Sequence, residues 1–131
     1  MKSFEDLLVW QKSLDLAVQL CQMQETKRDL QYRAEIVLAA CGLPAHIANA
    51  TSANTSAAFA AALDEPVSIA YRLETLVKVG ADLGFIPSTA HATLEARAEE
   101  VRKMVVALRA SAQRGDAGPP RRRASAKTPS S

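Results

Sequence analysis

The spacing of apolar and polar positions along the chain predicts four long helices separated by short polar segments. Apolar residues recur every three or four positions, which is the period of a helix that buries one face. Helices of this length with short connections pack as an antiparallel bundle, so the sequence predicts an all-α, up-down-up-down four-helix bundle. The predicted helices cover about residues 5–24, 30–50, 56–84 and 88–113.

The first predicted helix carries two apolar stripes rather than one. Two apolar faces need two neighbours, which are either two helices of the bundle or one helix and a partner chain. We therefore place Trp10 in the core or at an interface between chains, and we predict that Leu14 belongs to that interface. The two stripes are Leu7, Trp10, Leu14, Ala17 and Cys21, and Val9, Leu16, Leu20 and Met23.

Proline and capping residues set the expected bends and ends of the helices. Pro44 and Pro66 lie within the second and third predicted helices, where a missing N–H disturbs the helix, so we expect kinks near both. Asp64 is placed to cap a restarted second half of the third helix, and Gly84 is a natural left-handed stop at its end. We expect the third helix to begin with one of three residues that favour N-caps: Asn54, Thr55 or Ser56.

Composition indicates one domain followed by a polar tail. The 131 residues suffice for one modest core, and no run of about 18 apolar residues suggests a membrane span. The first residues lack the apolar segment of a secretory signal, so we expect a cytoplasmic protein without membrane contact. Residues 1–114 form the predicted bundle domain, and residues 115–131 form a predicted disordered, basic tail rich in Pro, Ser and Ala.

The positive charge of the chain is concentrated in that tail. Residues 1–114 contain twelve Lys and Arg against thirteen Asp and Glu, whereas residues 115–131 contain four against one. A short basic segment attracts nucleic-acid phosphates without reading bases, which makes the tail a candidate contact for nucleic acid. The alternative is a solubilising end with no specific partner. The candidate residues are Arg121, Arg122, Arg123 and Lys127.

The two cysteines are predicted to be separate, buried thiols. A hairpin that turns near Lys27 places Cys21 level with about residue 34, which leaves Cys41 about seven residues, or about 10 Å, further along. That offset exceeds the reach of a disulfide. We expect both thiols to behave as small apolar side chains.

The sequence contains no recognisable catalytic or cofactor-binding motif, and we expect no enzymatic activity, no metal and no cofactor. His46 and His91 lie on different predicted helices, and neither has a glutamate three positions before it, as metal-binding carboxylate bundles do. We expect His46 to lie at the surface or at an interface, and His91 to be exposed. Glu74 lies within an apolar stripe, and we expect it to bond Arg72 or Arg33 or to face water.

Three local motifs, in order along the chain, carry a resemblance to a known family. They are Phe4-x-Asp6-Leu7-x-Val9-Trp10-Gln11-Lys12, Leu43-Pro44-Ala45-His46-Ile47-Ala48, and Leu73-Glu74-Thr75 followed by Ala81-Asp82-Leu83-Gly84-Phe85-Ile86. Over about residues 3–112 the chain resembles the four-helix bundle family first noted in intervening sequences of large-subunit ribosomal RNA genes. That family is often labelled S23-like, and it is related in fold to the accessory variability proteins of diversity-generating retroelements.

The resemblance implies a small bacterial cytoplasmic protein without known enzymatic activity. It also implies a homo-oligomeric ring, which is a pentamer in familiar members, and contact with structured RNA or DNA or with a reverse transcriptase. The chain departs from the family where an arginine pair is common, because Val37 and Leu38 occupy those positions. Loss of that pair weakens the implied RNA contact and favours a contact with protein.

Two functional hypotheses follow from these features. The first is a non-enzymatic, oligomeric helical-bundle adaptor that contacts structured nucleic acid or a ribonucleoprotein. The alternative is a protein-only accessory subunit of a reverse transcriptase. In both, the predicted interface consists of Trp10, Leu14, Val37, Leu38 and His46.

Overall fold

The computed structural model describes residues 3–23 and 29–120, and all regular secondary structure within them is helical. The α-helices are α1 (Leu8–Gln22), α2 (Leu30–Ala50), α3 (Ser56–Ala62), α4 (Asp64–Leu83) and α5 (His91–Gln113). Short 3-10 turns at Phe4–Asp6 and Ser88–Ala90 precede α1 and α5. In the part of the chain that the structure describes, every helix is too short or too polar to cross a bilayer.

Four helical arms pack side by side and close a cycle. Helix α1 packs on α2, α2 on α4, α4 on α5 and α5 back on α1, while the short α3 belongs to the same arm as α4. Ion pairs show the direction of the arms. Asp64 at the start of α4 pairs with Arg109 late in α5, and Lys78 late in α4 pairs with Glu95 early in α5. This antiparallel packing confirms the predicted four-helix bundle.

The core selects one of the two apolar stripes on α1. Leu16 and Leu20 are fully buried between the other arms. Ser13 continues this buried stripe, and its hydroxyl is satisfied because it donates to the carbonyl of Trp10 at 2.8 Å. In the other stripe Ala17 is buried, whereas Trp10 and Leu14 remain partly exposed. The bundle therefore covers one apolar face of α1 and leaves much of the second uncovered.

The third arm is broken into two helices close to the predicted position. Helix α3 begins with Thr55, whose side chain accepts a hydrogen bond from the amide of Ala58, as expected for one of the three candidate caps. The break falls at Leu63, and Pro66 follows in the first turn of α4, where its missing N–H costs little. The predicted Asp64 cap is wrong, because Leu63 holds the N-cap position without a side-chain bond.

Two further boundaries concern proline and glycine. Helix α2 continues past Pro44 to Ala50 without a break. Helix α4 ends as predicted at Gly84, which adopts a left-handed φ of 78°. Beyond it, the amides of Phe85 and Ile86 donate to the carbonyl of Gly80 at 2.8 and 3.2 Å, which fixes the turn into α5.

Candidate functional site

An uncovered apolar surface lies where α1 and α2 meet. Leu14 and Val18 on α1 are 38% and 47% exposed, and Leu38 on α2 is 75% exposed. Between them, the sulfur atoms of Cys21 and Cys41 lie 3.8 Å apart, which fixes the alignment of the two helices. We call these five residues the α1/α2 surface.

The alignment of α1 and α2 at the two cysteines determines how far the α1/α2 surface extends. Leu14 lies seven positions before Cys21, which is about 10 Å along α1, and Leu38 lies three positions before Cys41, which is about 4.5 Å along α2. Because the two helices are antiparallel, these displacements run in opposite directions from the cysteine pair. The apolar surface therefore extends for about 15 Å along the bundle.

The cysteine prediction was wrong in both of its parts. The two sulfurs are in contact rather than about 10 Å apart, and Cys41 is exposed while Cys21 is half-buried. The predicted turn near Lys27 assumed that α2 retraces α1 immediately. Instead, α1 ends at Gln22, and its last turn lies beside residue 41, in the middle of α2.

The pKa of the Cys21 thiol lies above its ordinary value. Partial burial raises its pKa, and the neighbouring Cys41 raises it further through a hydrogen bond and charge repulsion. The positive charge of Arg33 acts in the opposite direction. Arg33 therefore lies close enough to add positive charge to this side of the bundle.

The structure brings four of the five predicted interface residues to this side of the bundle. Trp10 is half-buried beside Phe4, with the rings edge to face at a centroid distance of 5.2 Å. It lies four positions from Leu14, so both occupy the same side of α1. Val37 is half-buried against the core and lies four positions from Cys41.

His46 does not join them. It lies nine positions after Val37, which is two and a half helical turns, so the two side chains leave opposite sides of α2. His46 is exposed on the side of α2 that faces α4, where Gly42 lies close to both His46 and Ile69. Its role as a contact residue stays a prediction, separate from the α1/α2 surface.

A second apolar depression, which sequence analysis missed, lies between α2 and α4. It has a volume of about 290 Å³, and we call it the α2/α4 groove. Two carboxylate residues, Asp29 and Glu35, stand among its apolar lining. Val79 and Leu83 are 38% and 58% exposed within it. The remaining lining residues are Gln31, Tyr32, Leu76 and Phe85.

Basic side chains on the bundle are largely paired with carboxylates. Of the nine Lys and Arg residues that the structure describes, seven have a carboxylate oxygen within 4.0 Å. Lys103 pairs with Glu99 four positions earlier, the spacing that brings side chains together on a helix. Such pairing leaves little uncompensated positive charge on the described surface. The tail cations Arg121, Arg122, Arg123 and Lys127 lie outside the described residues.

Glu74 has a different partner from the two that were predicted. It accepts hydrogen bonds from Arg102 of α5 at 2.8 and 3.4 Å, and these bonds raise the pKa of the guanidinium. Arg102 also lies 5.3 Å from the ring centre of Tyr71. Arg72, one of the predicted partners, pairs with Glu35 instead. Arg102 therefore spans the seam between α4 and α5.

The histidines and acids are dispersed over the described part of the molecule. His91 is half-buried rather than exposed, and its Nε2 lies 2.7 Å from the carbonyl oxygen of Ile86. Among the described residues, no three His, Cys, Asp or Glu side chains are grouped closely enough to hold a metal ion.

Comparison with known protein families gives a match over most of the chain. The model of a family described as 23S rRNA-intervening sequence protein matches residues 5–107. No curated protein and no solved structure is significantly similar to the chain. The matched range runs from the turn before α1 through most of α5, so it covers both the α1/α2 surface and the α2/α4 groove.

Proposed function

Since the chain belongs to the 23S rRNA-intervening sequence protein family, we propose that it is a non-enzymatic, self-associating helical bundle that contacts structured RNA. The observation that carries the proposal is the α1/α2 surface, where Leu14, Val18 and Leu38 remain exposed after the bundle has formed. Apolar area of this kind is stabilised when a partner removes it from water, by about 25 cal/mol for each Å².

A second copy of the chain is the occupant that the surface features favour. The α1/α2 surface combines exposed aliphatic side chains with the positive charge of Arg33. The α2/α4 groove combines exposed aliphatic side chains with Asp29 and Glu35. Glu35 already pairs with Arg72 and the Asp29 side chain caps α2, so the match between the two surfaces rests on their exposed aliphatic side chains. One copy can dock its α1/α2 surface into the groove of the next.

Such a contact joins two different surfaces, so each copy can bind the next in the same way. The series of copies closes into a ring when the rotation from one copy to the next is a whole fraction of a full turn. The α1/α2 surface and the α2/α4 groove share α2, and each also uses a different neighbouring helix. Each copy thus uses one of these surfaces toward each neighbour. This arrangement is compatible with a homo-oligomeric ring, for which we propose five copies, the number that the family resemblance implies.

Substitution and mixing test this mode of assembly. We expect Leu38→Glu and Val79→Glu each to weaken self-association at least about tenfold, because each places a charge in an apolar contact. Mixing these two variants restores one intact contact, between the unaltered groove of one and the unaltered α1/α2 surface of the other, and so yields a heterodimer. Leu8→Glu is the control, because Leu8 is 56% exposed but lies outside both surfaces.

The outcome of mixing distinguishes the possible contacts. A mixture that remains monomeric while both single variants are monomeric indicates a symmetric contact and contradicts the head-to-tail arrangement. Equal loss of association in Leu8→Glu indicates a nonspecific effect of added charge. Light scattering after size separation provides the mass in each case.

The tail supports the RNA part of the proposal. Because the bundle cations are mostly paired with carboxylates, we assign phosphate contact to Arg121, Arg122, Arg123 and Lys127. Copies of this segment in one assembly act together, which raises the effective concentration of cations at the RNA. Replacing Arg121, Arg122 and Arg123 by alanine removes three positive charges and leaves the sequence of the bundle unchanged.

Filter binding to an RNA hairpin, at several salt concentrations, measures this contribution. We expect the arginine-to-alanine variant to lose affinity and to show a shallower dependence on salt, since each phosphate contact contributes a slope of about −0.9. A DNA hairpin of matching sequence serves as the competitor that separates RNA from general polyanion binding. Binding that is absent, or insensitive to salt in both proteins, would remove nucleic acid from the proposal.

The alternative of a protein-only accessory subunit of a reverse transcriptase is favoured by one observation. Val37 and Leu38 provide apolar contact area where cations would serve RNA better. The same Leu38→Glu variant separates the two proposals. If it abolishes capture of a reverse transcriptase encoded nearby but leaves RNA binding unchanged, the alternative is supported.

A further inference from the structure

The two cysteines are neighbours in space although they are 20 positions apart in the chain. Their sulfur atoms are separated by 3.8 Å, and Cys41 is open to solvent. A disulfide has a sulfur–sulfur distance of about 2.05 Å, so bond formation requires an approach of about 1.8 Å. We propose that Cys21 and Cys41 are a modification site at which a small-molecule disulfide, such as oxidised glutathione, forms a reversible disulfide within one chain.

The reaction proceeds in two thiol–disulfide exchanges. The thiolate of Cys41 attacks one sulfur of the small disulfide, forms a mixed disulfide and releases one thiolate of the reagent. The thiolate of Cys21 then attacks the Cys41 sulfur of the mixed disulfide and displaces the second reagent thiolate. Overall, the two cysteines lose two electrons and two protons, and the reagent gains them as two thiols.

The order of attack follows from exposure. Cys41 is exposed and meets the reagent first, whereas Cys21 is half-buried and reacts with the sulfur that it already contacts. Partial burial, which still acts on Cys21 when Cys41 is in the mixed disulfide, raises the pKa of Cys21, and its thiolate fraction grows as the pH increases toward that pKa. We therefore expect the second exchange to accelerate with increasing pH, while the mixed disulfide accumulates at lower pH.

The folded bundle favours the bond within one chain over other products. An unfolded chain loses conformational entropy when a disulfide closes the loop of 20 residues. In the folded bundle α1 and α2 already hold the two cysteines together, so little further entropy is lost. At a fixed ratio of oxidised to reduced glutathione, we expect the ratio of disulfide to dithiol to be about 100-fold higher in the native protein than in urea.

The experiment uses the full-length protein and oxidised glutathione. We expect a product that is lighter by about two hydrogen atoms and that runs as a single chain without reductant. Peptide mapping then shows Cys21 linked to Cys41, because Lys27, Arg28 and Arg33 provide cleavage sites between them. Cys21→Ser is the matched control, since Cys41 then keeps its glutathione adduct for lack of a second thiol.

This inference concerns a single chain and does not depend on the proposed self-association. Leu38→Glu is treated in parallel, so that covering of Cys41 by a second copy cannot hide the reaction. The proposal is overturned if Leu38→Glu also retains two free thiols, collects a glutathione on each cysteine, or forms disulfide-linked dimers. It is equally overturned if the native protein shows no preference over the urea-unfolded chain.

Discussion

Replacement of Gly80 by alanine tests the packing between α2 and α4. A Cβ atom at Gly80 would lie 2.0 Å from the hydroxyl oxygen of Tyr32, 2.7 Å from its Cζ and 3.1 Å from Cδ1 of Ile86. Contact at an ordinary 3.4 Å requires the phenol oxygen to withdraw by about 1.4 Å. That movement breaks the 2.7 Å hydrogen bond from the Tyr32 hydroxyl to the carbonyl of Leu76.

The magnitude combines three contributions. Alanine in place of glycine stabilises a helix by about 1 kcal/mol. Overpacking costs about 1–3 kcal/mol, and loss of the tyrosine hydrogen bond costs about 0.5–1.5 kcal/mol. We therefore expect Gly80→Ala to lower the free energy of unfolding by about 0.5–3.5 kcal/mol, as measured by urea denaturation followed by circular dichroism.

Gly42 provides the matched control. A Cβ atom there would have its nearest neighbours at 3.9 Å, in His46 and Ile69, so alanine fits without displacement. Gly42→Ala should raise the free energy of unfolding by about 0.5–1 kcal/mol, which is the helix-propensity gain alone. If Gly80→Ala is as stable as the wild type or as Gly42→Ala, Tyr32 does not pack against Gly80 as described here.

Two further predictions concern capping and pH. Thr55→Ala should lower the free energy of unfolding by about 1 kcal/mol, as measured by urea denaturation, because the amide of Ala58 at the start of α3 loses its side-chain acceptor. An unchanged free energy of unfolding would show that this cap is dispensable. Burial raises the pKa of Tyr32 to about 12, so between about pH 10 and 12 unfolded chains release the phenol proton while folded chains keep it. The urea midpoint should therefore fall across this window more steeply in wild type than in Tyr32→Phe, and parallel curves would contradict the burial of Tyr32.

The sequence was sufficient to predict the architecture, because helices are recognised from the spacing of their apolar residues and from the capping residues at their ends. The apolar stripes marked α1 as a packed helix, although only the structure showed that the stripe containing Leu16 and Leu20 is the buried one. Gly84 and the cluster of cap residues that includes Thr55 marked helix ends through local backbone chemistry. These features depend on residues within a few positions of each other, so they can be inferred without knowledge of the fold. The same is true of the pair between Glu99 and Lys103.

Contacts between helices could not be predicted in the same way, because they depend on how far one helix is shifted along another. The contact of Cys21 with Cys41 arises from a shift of α2 relative to α1 that a simple hairpin does not predict. The choice of Arg102 as the partner of Glu74 depends likewise on the register of α4 against α5. The α2/α4 groove was missed for a related reason, since its two walls lie more than 40 positions apart in the chain.

The central claim is that the apolar surface left by one bundle is covered by another copy. Sedimentation equilibrium of the wild-type chain over a range of concentrations measures this without any substitution. A self-associating bundle gives particles whose mass is a multiple of 14.0 kDa and increases with concentration until the assembly is complete. A particle of 14.0 kDa at every concentration up to about 100 μM would contradict it.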